Sequence, residues 1–162
     1  MKTPRTETPR TETPRTNDAP IVLRVSRRFE FPPEMVFDAW LDPGMARRFL
    51  FATPDGEMQQ VDIDPRVGGR FTIVERRPDG DAAHYGEYLE IERPYRLAFS
   101  FSTEPDAPGD RISIGIVPAG GNGCELTLVH ELSPAWADYE AQTRKGWTDI
   151  LATLATYLQT AT

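Results

Sequence analysis

The C-terminal stretch constrains this chain most. Residues 134–158 read PAWADYEAQTRKGWTDILATLATYL. Trp147, Ile150, Leu151, Leu154 and Leu158 stand at i, i+3, i+4, i+7 and i+11, the single apolar stripe of an amphipathic helix. Trp136, Tyr139 and Thr143 extend the stripe backward. Ser133 is placed to cap the helix, with Pro134 at its first position. A helix over about 25 residues is roughly 37 Å long, the width of a small domain. One wide apolar face of that length needs a broad partner, and the strands that precede it are the partner at hand. Gly146, in the helix interior, costs about 1 kcal/mol relative to Ala. A close approach of the helix backbone to the sheet would explain it.

Those strands are legible from alternation and turn chemistry. Ile21 to Phe31 is β-type and stops at Pro32–Pro33. Glu34 to Leu41 is a short helix, Asp42–Pro43–Gly44 a turn, and Met45 to Phe51 a second short helix. Six strands follow: Met58–Ile63, Arg70–Arg76, Ala82–Glu92 with Gly86 as a bulge or bend, Tyr95–Ser102, a strand alternating at Ile112, Ile114 and Ile116, and one alternating at Cys124, Leu126 and Leu128. Short turns such as Pro78–Asp79–Gly80 make neighbours antiparallel. The order is β-α-α-β6-α, an α+β fold in which a curved antiparallel sheet wraps the long C-terminal helix.

Residues 1–19 form a tail built on a TPRTE repeat, with no large apolar side chain after the first residue. It cannot bury enough surface to offset its chain entropy, so it is expected to be disordered or loosely extended. Residues 20–162 are expected to form a single domain. The net charge is −7; Lys2, Arg5, Arg10 and Arg15 outnumber Glu7, Glu12 and Asp18 by one, so the rest of the chain carries −8. This balance excludes nucleic acid as the expected partner. No apolar run reaches the ~18 residues of a membrane span, and no apolar leader opens the sequence, so a cytoplasmic location is expected. Cys124 is the one cysteine. It and the two histidines, His84 and His130, lack metal-ligand spacing, so neither a metal nor a cofactor is implied. Gly68–Gly69 is a turn rather than a phosphate loop, because no P-loop lysine accompanies it.

Several segments together resemble a known family: VFDAWLDPGMARRFL, VDIDPRVGGRF, YLEIERPYRLAFSFS, CELTLVHEL and KGWTDILATLATYL. They are similar to the branch of the START-related (SRPBCC) superfamily typified by activators of the heat-shock-protein ATPase, over roughly Ile21 to Gln159. The resemblance implies a helix-grip fold, often with an apolar cavity between helix and sheet. Some members bind lipids or other apolar ligands, and relatives include cyclases and hydroxylase components. The namesake co-chaperone activity belongs to eukaryotic proteins with an additional domain not found in this sequence. Where relatives often carry a Trp-Phe-Gly-Pro-like segment after the second helix, this chain has Phe49–Leu50–Phe51–Ala52–Thr53–Pro54, so the cavity mouth is expected to differ.

The residues placed to line such a cavity are Phe37, Trp40, Phe71, Tyr85, Phe99, Phe101, His130, Trp136, Trp147 and Leu151. His130 continues the inward alternation of its strand and is the one catalytic candidate, as an acid or base beside Glu87 or Glu131. Equally, inward aromatics can simply fill a core, and a histidine at a strand end can be a hydrogen-bonded rim residue. Three functions remain open: binding of a small apolar or amphipathic ligand without catalysis, a cyclase- or hydrolase-like enzyme using His130, and a co-chaperone-like interaction module. A homodimer is left open as well.

Overall fold

The computed structural model describes residues 19–161. The repeat tail, apart from its last residue, lies outside the described residues. Nine elements precede the C-terminal segment: β1 (Ile21–Phe29), α1 (Pro33–Leu41), α2 (Pro43–Ala46), β2 (Glu57–Ile63), β3 (Arg70–Arg77), β4 (Gly80–Glu92), β5 (Arg96–Phe101), β6 (Asp110–Pro118) and β7 (Cys124–Leu132). A 3-10 segment, Pro134–Tyr139, then leads into α3 (Glu140–Ala161). The seven strands form one antiparallel sheet in the order β1-β7-β6-β5-β4-β3-β2. The first strand therefore pairs with the last, Leu23 opposite His130 and Phe29 opposite Cys124, and the meander β2 to β7 fills the rest. The sheet curves around α3, the helix-grip arrangement.

Alternation decides which face is covered. Leu126, Leu128 and His130 on β7, Ile112, Ile114 and Ile116 on β6, and Phe71 and Ile73 on β3 are all buried. Trp147, Leu151, Leu154 and Leu158 of α3 meet them. Each fully buried side chain of this size stabilises by about 1.5–3 kcal/mol. The α1 residues Val36, Phe37 and Trp40 close one end of this core. An ion pair ties α1 to the β4–β5 turn, with Arg93 Nε and Nη2 donating to the two oxygens of Asp38 at 2.7 and 2.8 Å.

Several local expectations need correction. Asp42–Pro43–Gly44 is the start of α2 rather than a free turn: Asp42 Oδ1 accepts from Gly44 N and Met45 N, and Pro43 occupies the first helical position. That helix ends at Ala46, short of the expected Phe51. Of the two readings of Gly86, a bulge or a bend, the bulge is excluded. Gly86 pairs in register with Phe71, and the register shift against β5 lies further on, between Tyr88 and Glu90. A Cβ at Gly86 would collide with Ser100 O and the Phe71 ring, so a close approach of backbone and ring demands glycine there. The predicted single helix is also broken: Trp136 is non-helical at φ −105°, and the α-helix begins at Glu140. Trp136 and Tyr139 do not extend the buried stripe; each is 51% exposed. Finally, nothing lies within 4 Å of a Cβ built on Gly146, so no close approach calls for glycine there.

Gly86→Ala is expected to destabilise the fold by about 1–3 kcal/mol, the range of overpacked cores. Gly115→Ala, where an added Cβ meets nothing within 4 Å, should stay within about 0.5 kcal/mol. Chemical denaturation of both variants measures the contrast, and equal costs would show that Gly86 is not crowded.

Candidate functional site

The site grows from a three-residue hydrogen-bond chain. His130 is inward on β7 and 1% exposed. Trp147 Nε1 donates to His130 Nδ1 at 2.9 Å. An indole N–H can only donate, so Nδ1 is the acceptor and the ring proton sits on Nε2. Nε2–H then donates to Asp110 Oδ2 at 2.9 Å. Asp110, the first residue of β6, is the solvent-facing end of the chain, its side chain 17% exposed. The three residues join the first half of α3 to two interior strands, β7 and β6.

A second cluster lies on the other side of Trp147. Phe51 follows α2 with φ +60°, a left-handed conformation that non-glycine residues rarely adopt. Its ring stacks on His84 at 4.2 Å with planes 2° apart, and on Phe101 at 5.1 Å and 14°. Trp147 meets the same ring at 5.8 Å. Glu75 holds the backbone in place. Buried on β3, it accepts from Thr53 N at 2.6 Å, Thr53 Oγ1 at 3.0 Å and Arg77 Nε at 2.6 Å. Arg77 Nη2 in turn donates to Phe51 O. The buried carboxylate is thus both paired and hydrogen-bonded, as burial requires.

His84 is buried against these rings, and its Nδ1–H donates to Ile73 O at 3.1 Å. Burial pushes its pKa down to about 4, with Arg77 nearby acting in the same direction against the opposing backbone bond and Glu75. The ring is therefore neutral at pH 7, and Nε2 carries a lone pair.

Two open cavities flank the first half of α3. One, of about 650 Å³, is lined by Phe51, Thr53, His84, Phe101, Gly146, Trp147 and Ile150 among others. The other, of about 520 Å³, is bounded by the Thr103–Asp110 loop, His130, Trp136 and Tyr139. Phe101 and Thr143 are common to both.

Of the residues expected at a cavity, Phe101 and Trp147 line the larger one, and Phe101, His130 and Trp136 the smaller. Phe37, Trp40, Phe71, Phe99 and Leu151 are packed in the core. Trp40 packs edge-on to Phe49, and its Nε1 has no partner among the described residues. Tyr85 follows the inward His84 and lies instead at a small cleft with Arg70 and Glu87. The partner of His130 is Asp110, not Glu87 or Glu131. Both of its ring nitrogens are engaged, which leaves no free nitrogen to act as a base. Phe51, His84, Thr53 and Thr143 were missed as site residues. Phe49–Leu50–Phe51 before a turn signalled only a dense apolar end, and a left-handed Phe has no mark in sequence. Among the described residues, no three His, Cys, Asp or Glu side chains cluster to hold a metal, and no helix is long and apolar enough to cross a membrane.

Comparison with known proteins places this architecture. The model of the family described as activator of Hsp90 ATPase homolog 1-like protein matches residues 30–159, and the chain belongs to that family. Solved structures are similar across the domain. An AHSA1-like protein from Aeromonas hydrophila is 27% identical, with a TM-score of 0.66, covering 86% of this chain and 94% of its own. A protein from Chromobacterium violaceum is 25% identical at a TM-score of 0.73, covering 84% and 95%. An HSP90 activator from Plasmodium falciparum shares the fold at 20% identity and a TM-score of 0.67, covering 85% and 96%. Among curated proteins, no relative matches the chain.

His84 makes the stability of this site depend on pH. Its folded pKa, about 4, lies below the unfolded value of 6.5, so the unfolded chain binds the proton first. The neutral ring's contribution is complete above 6.5 and is lost as pH falls toward 4. His84→Phe should remove on the order of 2 kcal/mol of the stability lost by the wild type across that window. Denaturant titrations at pH 7 and pH 4.5 read the difference; parallel losses in the two proteins would place His84 in solvent.

Proposed function

We propose that this protein binds a small, largely planar apolar or amphipathic molecule carrying a hydrogen-bond donor, in the larger cavity between sheet and α3. The observation that carries this reading is the ring stack of Phe51, His84 and Phe101 at an open cavity, where the neutral His84 adds an acceptor nitrogen beside the polar Thr53, Thr143, Thr153, Arg77 and Asp149. Its volume, about 650 Å³, falls within the roughly 300–1,000 Å³ of small-molecule sites. The walls favour a flat ring by stacking. A lone pair that cannot also donate selects a hydroxyl or N–H over a carboxylate. The engagement of both His130 nitrogens supports binding over His130-based catalysis.

Gly146 provides the test. It lines this cavity and a Cβ there meets nothing, so Gly146→Phe projects a ring into the space at an exposed helix position. Helix propensity improves on leaving glycine, so the fold should persist. Titration calorimetry with 2-naphthol, 2-naphthoate and naphthalene is expected to rank 2-naphthol first, by about threefold to tenfold over naphthalene, the worth of one hydrogen bond. Gly146→Phe should abolish binding, and His84→Phe should erase the preference for 2-naphthol. Unchanged binding in a folded Gly146→Phe variant would remove this cavity from the function.

A further inference from the structure

The smaller cavity differs from the larger in its charge. Glu104 and Asp110 line it, and no lysine or arginine does. The neighbouring cations are turned elsewhere: Arg111 pairs with Glu90 and Glu131, and Arg144 donates to Arg24 O and lies beside Glu140. Asp110 is held in place from behind, because His130 Nε2–H occupies its Oδ2. The 3-10 segment also lines this cavity. Trp136 and Tyr139 stand there half exposed, ring centres 5.7 Å apart with planes at 60°. Exposed aromatic faces beside unneutralised carboxylates form the setting in which organic cations are recognised, through the negative face of the ring and the charge together. An anion would meet two carboxylates and no compensating donor cation. The net charge of −7 favours a cation's approach as well.

We infer that the cavity bounded by Trp136, Tyr139, Glu104 and Asp110 is a second binding site, specific for a small organic cation of the alkylammonium class. It goes beyond the apolar-ligand reading and does not rest on it. The two cavities share only the Phe101 and Thr143 wall, so each can be blocked separately.

Choline and 3,3-dimethylbutan-1-ol test this directly, since they differ in shape by a nitrogen-for-carbon exchange and in charge by one unit. Titrated into the full chain by calorimetry, with the Trp136 indole N–H followed by NMR, choline is expected to bind at least about tenfold more tightly than its neutral isostere. Trp136→Ala, at an exposed position, should leave the melting temperature unchanged and weaken choline by about fivefold or more. Glu104→Gln should weaken it to a smaller degree, and Gly146→Phe, which fills the other cavity, should not affect it. Equal binding of the two compounds, no saturable binding of choline, or an unaffected Trp136→Ala variant would overturn the assignment. Loss of choline binding in Gly146→Phe alone would move the cation to the larger cavity and overturn it equally. The 2-naphthol results bear on that larger cavity alone.

Discussion

The hydrogen bond from Trp147 to His130, continued to Asp110, sets where the long helix sits. From Leu151 onward the helix packs its apolar face, Leu151, Leu154 and Leu158, into the core. Such contacts are non-directional and would allow sliding. One indole N–H aimed at one imidazole nitrogen removes that freedom, because a buried donor left unpaired costs about 1–3 kcal/mol. Beyond Trp147 the helix is gripped. Before it, Gly146 lines the larger cavity and Thr143 lines both.

A second constraint shapes the mouth of the larger cavity. A non-glycine residue in the left-handed region costs roughly 1–2 kcal/mol, and Phe51 is held there. Three hydrogen bonds to the buried Glu75 fix the loop and the arginine that reaches Phe51 O. The stacked faces of His84 and Phe101 receive the ring. Strain held against tight anchoring is common where a site must be preorganised, and here it presents a flat aromatic floor beside a neutral acceptor.

Much of the fold was legible in the sequence because it rests on period and turn chemistry. The stripe of Trp147, Leu151, Leu154 and Leu158 is buried as its spacing required, and the inward alternation of β7 carries through to His130. The family resemblance is supported by the match over residues 30–159. The site was less legible. Trp136 fits a helical stripe by spacing, yet Ser133 opens a 3-10 turn that swings it outward. Gly146 signals a loss of contact as readily as a close one. Asp110 lies twenty residues from His130, and only strand pairing brings them together. Glu75 looks like any solvated charge on a strand until the loop at Thr53 folds over it. Alternation names a face; it does not say whether that face is filled.

A double-mutant cycle on Trp147 and His130 tests the anchoring bond most directly. Trp147→Phe removes the donor, His130→Leu removes the acceptor, and the double variant removes both, with stabilities read by chemical denaturation. Replacing both partners relieves the unpaired group that each single change leaves behind, so the two costs are predicted to be non-additive by about 1–3 kcal/mol. Additivity within about 0.5 kcal/mol, the behaviour of independent sites, would contradict the account and leave the helix held by apolar packing alone.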